Sequence, residues 1–510
     1  MKYIQGINRE QLVLFATSLD AAIKADNEVR IIDEFVNSLD LKDMGFANMD
    51  VTEEGRPAYH PADLLKLYIY GYMNRTRSTR ELEKETIRNM EVRWLIRELQ
   101  PDHNTIANFR RDNPEAIRNV FHKTVTVAKH HNLIGGRLIA GDSVKFRAQN
   151  SKKNNYNKDK IARHLQYIEN KLNEYNQQLE ENDPPAEKRA EIESEIKKHL
   201  SRREKYNNLN QRIAERGEQQ ISTSDPDSRQ MIVRNNITEV AYNTQVTTDA
   251  KNKIMLDYLV TNEKDTHAMS PMVERAIDIV DNNEFIAIYD KGYYAGEDIF
   301  ACHEMGIETL VAVPDRGASS QAPDKEFNYE TFIYNRESDT YTCPEGNEMT
   351  TNGTWYDSKA SKFKQYTSRA CKNCPSRAKC TRSKLNGRII QRTEYAESVE
   401  RNQKYLDEHP QYYKQRQAIV EHPFGTIKRQ WGFDHTMMKR GIDKVSADIG
   451  LIFLTCNLRR LITLLGKELS GVHLSVILEL KWLDLALKRL LKPLKRIVEI
   501  HFEYLQKTLA

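Results

Sequence analysis

No stretch of this 510-residue sequence approaches the roughly 20 consecutive apolar residues of a membrane span. The nearest, Ile449 to Cys456, is far too short and runs into Asn457, Arg459 and Arg460, so no membrane partner is expected. The first residues, MKYIQGINREQ, lack an apolar signal core, and a cytoplasmic location is the expectation. Excess charge is also missing. Against 73 acidic residues stand 77 basic ones, a net +4, so any nucleic-acid surface must be built from local patches. Cysteine is scarce, and four of the six cluster at Cys343, Cys371, Cys374 and Cys380. Without an export signal, that cluster favours metal binding over a disulfide scaffold. The length suits several domains at about 150 residues each.

What is present begins with three separated acids. Asp142 stands in RLIAGDSVKFRA, Asp290 in FIAIYDKGYY and Glu421 in QRQAIVEHPFGTIKRQWG. Leu138 to Ala140 and Phe285 to Ile288 read as buried strands, each leading into an aspartate at its carboxyl end, where open α/β sheets hold ligands. Tyr413 to Trp431 reads as a helix on which Glu421 and Lys428 share nearly one face. Brought together, the three carboxylates offer hard oxygen ligands for two Mg²⁺ ions, with Mn²⁺ able to substitute, and so for phosphodiester cleavage. Asp225, Asp227 and Asp249 compete, but turn formation accounts for each.

Around these acids the chain divides by pattern. Residues 1–135 read as a helical module for DNA binding or dimerisation, with helices over Leu12 to Ala25, Val29 to Leu39, Pro61 to Met73 and Thr79 to Leu99, and an edge of Arg75, Arg77 and Arg80. Residues 136–158 and 216–313 alternate strand and helix, the pattern of an α/β core. Between them, 159–215 carries heptad-like steps at Ile161, Leu165, Ile168, Leu172 and Leu179, a break at Asn182 to Pro185, and a second apolar series at Ile192, Ile196, Leu200 and Leu209. An antiparallel helical hairpin follows from this. Residues 314–395 turn polar and short-stranded and hold the four cysteines. Helices return over 396–465, carrying Glu421, and 466–510 ends in basic helices with Lys488, Arg489, Lys492, Lys495 and Arg496.

Local basic patches do exist. Lys145, Arg147, Lys152, Lys153, Lys158, Lys160 and Arg163 follow Asp142 against the single acid Asp159, a run suited to phosphate contact or to a solvated linker. Lys291 adjoins Asp290, and Lys428, Arg429 and Trp431 follow Glu421; the tryptophan suits packing better than base stacking. Cys343-x₂₇-Cys371-x₂-Cys374-x₅-Cys380 permits a tetrahedral Zn²⁺ site, while Cys302 and Cys456 read as core.

Taken together, GDSVKFRAQNSK, YDKGYY and VEHPFGTIKRQWG, with HPADLLKLYIYGYMNRTRSTRELE and PDHNTIANFR before them, resemble bacterial insertion-sequence transposases of the DDE type over nearly the whole chain. The resemblance implies an RNase H-like core, Asp142, Asp290 and Glu421 as the metal-binding triad, and DNA cleavage followed by strand transfer. It also implies terminal inverted repeats as the DNA bound, a homodimer working on two ends, and a nucleoid location. One departure stands out. The wider group carries Tyr-x₂-Arg-x₃-Glu-x₆-Lys, whereas four residues separate Arg416 from Glu421 here. Arg416 then sits about 140° around a helix from Glu421. That offset argues against Arg416 as a phosphate ligand and leaves Lys428 as the better one. Pro423 is expected to kink or break the helix beside Glu421. Two rival readings remain: a metal-dependent endonuclease without strand transfer, and a non-catalytic zinc-containing DNA-binding regulator.

Overall fold

The computed structural model describes residues 18–466, apart from 48, 50–56, 182–184, 235–236, 315–320, 359–360, 384–385 and 439. Part of the first expected helix, most of the Asn182 to Pro185 break and the basic carboxyl-terminal helices lie outside the described residues.

Six helices come first: α1 (Glu28–Asn37), α2 (Pro61–Met73), α3 (Thr79–Arg88), α4 (Met90–Leu95), α5 (His103–Asp112) and α6 (Pro114–His130). Pro61 opens α2 at its first turn, where a missing amide costs nothing, and the His60 side chain accepts the Ala62 amide. Where one helix was expected over Thr79 to Leu99 there are two. Asn89 is extended, and its side chain caps α4 by accepting from the Glu91 amide at 3.0 Å.

The chain then enters a mixed sheet. Its strands are β1 (Leu138–Arg147), then, after the short pair β2 (Asn155–Asn157) and β3 (Gln220–Ser222), β4 (Arg229–Arg234), β5 (Ile237–Asp249), β6 (Met255–Thr261), β7 (Ile286–Tyr289) and β8 (Glu308–Val311). The order is β4-β5-β1-β7-β8, with β6 also pairing β5. β1 is antiparallel to β5 and parallel to β7, which is parallel to β8. Helices α7 (Lys158–Glu181) and α8 (Ala186–Glu215) form the expected hairpin out of this sheet, with a small core of its own around Ile161, Ile168, Leu172, Tyr206 and Leu209. Leu200 stays exposed on the hairpin surface.

Helices α9 (Met269–Val280) and α10 (Gly296–Glu304) cover the sheet. A second, antiparallel sheet follows: β9 (Ile333–Asn335), β10 (Thr340–Thr342), β11 (Glu348–Thr351), β12 (Tyr356–Asp357), β13 (Lys362–Thr367) and β14 (Ile390–Thr393), with the short helix α11 (Arg377–Cys380). The chain returns through α12 (Ala396–Glu408), α13 (Pro410–Gly425) and α14 (Ile442–Leu465).

Two asparagines close the sheet edges, which would otherwise offer free backbone groups to any passing strand. Asn457 of α14 accepts the Met255 amide at 3.1 Å and donates to its carbonyl at 2.8 Å. Asn402 of α12 does the same for Val311, at 3.0 and 2.8 Å. α14 is buried along most of its length between α2, α5 and α6 on one side and β6 on the other, so the amino-terminal helices and the sheet share one hydrophobic core. The expected α/β class, with a helical amino-terminal region and a mixed sheet, is what the chain adopts.

Candidate active site

Strand pairing brings Asp142 and Asp290 together. Ala140 of β1 lies opposite Ile288 of β7, so two residues further along each chain the aspartates stand level. Gly141 permits this approach, because a Cβ there would collide with the buried Tyr289 ring. Asp290 follows the end of β7 as expected, but Asp142 lies within β1 instead of ending it. β1 continues because it keeps β5 as an antiparallel partner as far as Arg147, after β7 has ended.

Each aspartate is anchored on one oxygen by a local amide. Asp290 Oδ1 accepts from Gly292 at 2.7 Å, and Asp142 Oδ1 accepts from Ser143 at 2.8 Å. Asp142 Oδ2 accepts from Arg416 Nη1 at 3.2 Å. Burial pushes the Asp142 carboxyl above its ordinary range; Arg416 and the Ser143 amide oppose it, and the charge of Asp290 adds to it. The two carboxylates set hard oxygen donors side by side, a donor set that fits Mg²⁺ or Mn²⁺.

The contact to Arg416 reverses the expectation drawn from helix phase. Ile419 and Val420 are buried against Ala140 and Leu138, and these apolar contacts fix how α13 is rotated. Tyr413 and Arg416 share the face of Val420, so the offset of about 140° turns Arg416 toward the aspartates and Glu421 away. Glu421 is exposed, and its Oε1 accepts from Gln417 Nε2 at 2.8 Å. Among the described residues no group of three or more His, Cys, Asp or Glu side chains is drawn close enough to hold a metal ion. Asp142 and Asp290 thus form a pair, with Glu421 outside it.

Pro423 does not end α13, which runs on to Gly425 and is held to the sheet by apolar contacts through Ile419, Val420 and Phe424. The helix instead loosens after Gly425 into a π-turn, Thr426–Gln430, closed by the Trp431 amide on the Thr426 carbonyl at 3.0 Å. The wider turn changes the phase, so Lys428 does not share the face of Glu421. Its Nζ donates to the Lys145 carbonyl of β1 at 2.7 Å.

Sequence reasoning missed Asp265, in the loop before α9. Its Oδ1 accepts from Asn243 at 2.7 Å and Gln245 at 3.0 Å, and its Oδ2 from Lys145 Nζ at 3.1 Å. Burial raises this carboxyl, but Lys145 and the two amides outweigh it and hold it below its usual range. A Cβ on Gly292 would touch both Asp290 and Asp265, so Asp265 adjoins the aspartate pair. The local stretch NEKDTHAMS reads only as a turn into a helix. A signal did exist in β5: Asn243 and Gln245 are polar residues at strand spacing on a buried strand.

The basic residues fall into two groups. Lys153, Lys158, Arg163, Lys291, Arg429, Arg75 and Arg80 are exposed. Lys145 is engaged with Asp265, Arg147 with Asp434 at 2.9 Å, Lys152 with Glu239 at 3.6 Å, and Lys160 with three backbone carbonyls. Arg77 does not share the exposed edge of Arg75 and Arg80. It is buried, paired with Asp448 of α14 at 2.7 Å and set over the Phe433 ring. Trp431 packs edge-on to Phe433 at 5.6 Å, the packing role favoured above.

The four cysteines of the second lobe line one small cavity, together with Phe327, Phe332, Met349 and Arg388. All are free thiols.

Two family models match the chain. One, described as Transposase DDE domain, covers residues 342–462; the other, Transposase domain (DUF772), covers 17–112. Together the two matches indicate an insertion-sequence DDE transposase. Among curated proteins and solved structures, nothing matches. The DDE-domain match takes in Arg416, Glu421, Lys428 and the four cysteines, while Asp142 and Asp290 lie outside both matched segments. A DDE transposase is an enzyme of transposition that acts on DNA and generally uses a divalent metal. No helix among the described residues of this transposase is long and apolar enough to cross a membrane.

Proposed function

We propose that this transposase binds the terminal inverted repeats of its own element and carries out Mg²⁺-dependent strand cleavage and strand transfer at Asp142 and Asp290. One observation carries the reading: the two aspartates stand level on adjacent parallel strands, with Arg416 bonded to Asp142 and Lys145 nearby. Glu421 is the third ligand in this proposal, its carboxylate released from Gln417. When bound, two Mg²⁺ ions supply activation of the attacking oxygen and stabilisation of the leaving one.

The remaining work falls to the chain itself. Lys145, braced by Asp265, keeps a cation beside the aspartates, and exposed Lys153, Lys158, Arg163 and Lys291 suit a phosphate backbone. The sheet order, with β1 central, antiparallel on one side and parallel on the other, supports an RNase H-like core. Two element ends to process favour a homodimer on DNA, and a DNA substrate favours the nucleoid.

The test is Asp142→Ala with end DNA. Mg²⁺-dependent cleavage is expected to fall about 10³-fold or more, the scale of losing a principal electrostatic group, with end binding retained. Unchanged cleavage rejects the assignment. Incubating the wild-type protein with precleaved ends and a plasmid separates transposition from simple nuclease action, because only strand transfer gives joined products.

A further inference from the structure

We propose that the lobe between β8 and α12 holds a structural Zn²⁺ ion on Cys343, Cys371, Cys374 and Cys380, a site separate from the Asp142 centre and independent of the reading above. Local backbone geometry presents each thiol from a tight turn or a short helix. Cys343 begins the β10–β11 turn: its amide donates to the Asn347 carbonyl at 3.0 Å, its carbonyl accepts from Gly346 at 2.8 Å, and Gly346 has a φ of 75° that suits glycine. Cys371 lies in a 3₁₀ turn, Arg369–Lys372, Cys374 follows it, and Cys380 ends α11. Gly387 lets the chain lie directly on Cys371, where any Cβ would collide.

The cavity that the four thiols share has a volume of about 20 Å³, close to the room one small ion or one water needs. Its wall contains an observation that free thiols do not explain. Arg388 lines it, and its buried Nε has no hydrogen-bond partner among the described residues. A buried unpaired donor costs about 1–3 kcal/mol, and a neutral thiol is a weak acceptor. Thiolates bound to Zn²⁺ carry negative charge and accept such a donor, the outer-shell arrangement that metal sites favour. Arg377 also lines the cavity and adds a second positive charge against a Cys₄ site.

The lobe has reason to need the ion. Its core consists of five buried side chains, Phe332, Tyr341, Met349, Tyr366 and Ile390, and small cores of this kind are commonly held by a metal or disulfide. As the side chains stand, no three thiols meet at bonding distance, so binding draws them inward and releases their protons.

The test uses the full chain. Elemental analysis of the purified protein is expected to give one Zn per chain, retained in Asp142→Ala and lost in Cys374→Ser. Because Cys374→Ser risks misfolding, a second measurement replaces Zn²⁺ with Co²⁺ in the wild-type protein. Tetrahedral thiolate coordination then gives thiolate-to-Co²⁺ charge transfer and intense visible d–d bands. A folded wild-type protein that holds no zinc and gives no thiolate–Co²⁺ bands overturns the proposal. So does finding the four cysteines joined as disulfides.

Discussion

Asp142, partly exposed, and Asp448, fully buried, both meet arginine, and they end in opposite states. At Asp448, burial raises the carboxyl, but Arg77, Arg110, the Tyr72 hydroxyl and the Met437 amide outweigh it and hold it below its usual value. Both oxygens accept two donors: Oδ1 from Tyr72 and from Arg110 Nη1 at 3.2 Å, and Oδ2 from Arg77 Nη2 at 2.7 Å and the Met437 amide at 2.7 Å. At Asp142, burial prevails over Arg416, the Ser143 amide and Lys145, and the neighbouring Asp290 adds to it. The Asp448 cluster is a joint, tying α2, the turn before α3 and α5 to α14. The Asp142 carboxylate is partly exposed, which the proposed metal site requires. The two aspartates differ both in exposure and in the number of donors that meet the carboxylate.

The largest effect on stability should come from the joint. Asp448→Ala leaves two arginines buried with no carboxylate and is expected to cost about 3–5 kcal/mol, read by urea unfolding. Asp142→Asn, with no divalent metal present, should leave the unfolding midpoint unchanged or slightly higher. If the two variants lose equal stability, the contrast between the sites is wrong.

Cleavage sharpens the comparison next. Arg416→Ala should lower Mg²⁺-dependent cleavage about 10–100-fold, the usual cost of removing a partner that orients a metal ligand, while Arg77 variants act only through stability. Asp265→Asn should cost a similar factor through Lys145. Glu421→Gln decides the status of the third carboxylate. A loss as deep as that of Asp142→Ala makes it a ligand, and a change of only a few-fold leaves it on the surface.

The smallest effect is in pH dependence. Because the folded Asp448 carboxyl is depressed, the unfolded chain binds its proton first as pH falls. Its stabilisation is complete above the ordinary value of 3.8 and is lost below it as pH approaches the folded value. Acid titration of Asp448→Asn should show a shallower loss of stability over that range than the wild type.

Much of the fold was legible in the chain. Pro61 to Met73 is bounded as its Pro and apolar spacing predict, and the hairpin helices follow their apolar series. The β-branched runs became β5 and β6 around the turn at Asp249 to Lys253. The site was legible in part. The two strand-borne aspartates were visible because a buried strand followed by an acid is unusual. Asp265 was hidden in an ordinary turn, and its role depends on Asn243, Gln245 and Lys145 meeting it from other elements. Arg77 looked like an exposed arginine because its partner, Asp448, lies 371 residues away.

By itself the sequence determined local periodicity, turns and the residue types able to hold a metal, because these depend on neighbours within a few positions. Only the tertiary structure decided which charges are satisfied. The rotation of α13 was set by Ile419 and Val420 packing on Ala140, and that packing turned Arg416 inward and Glu421 outward. A helix can present any of its faces; the apolar contacts it buries select one.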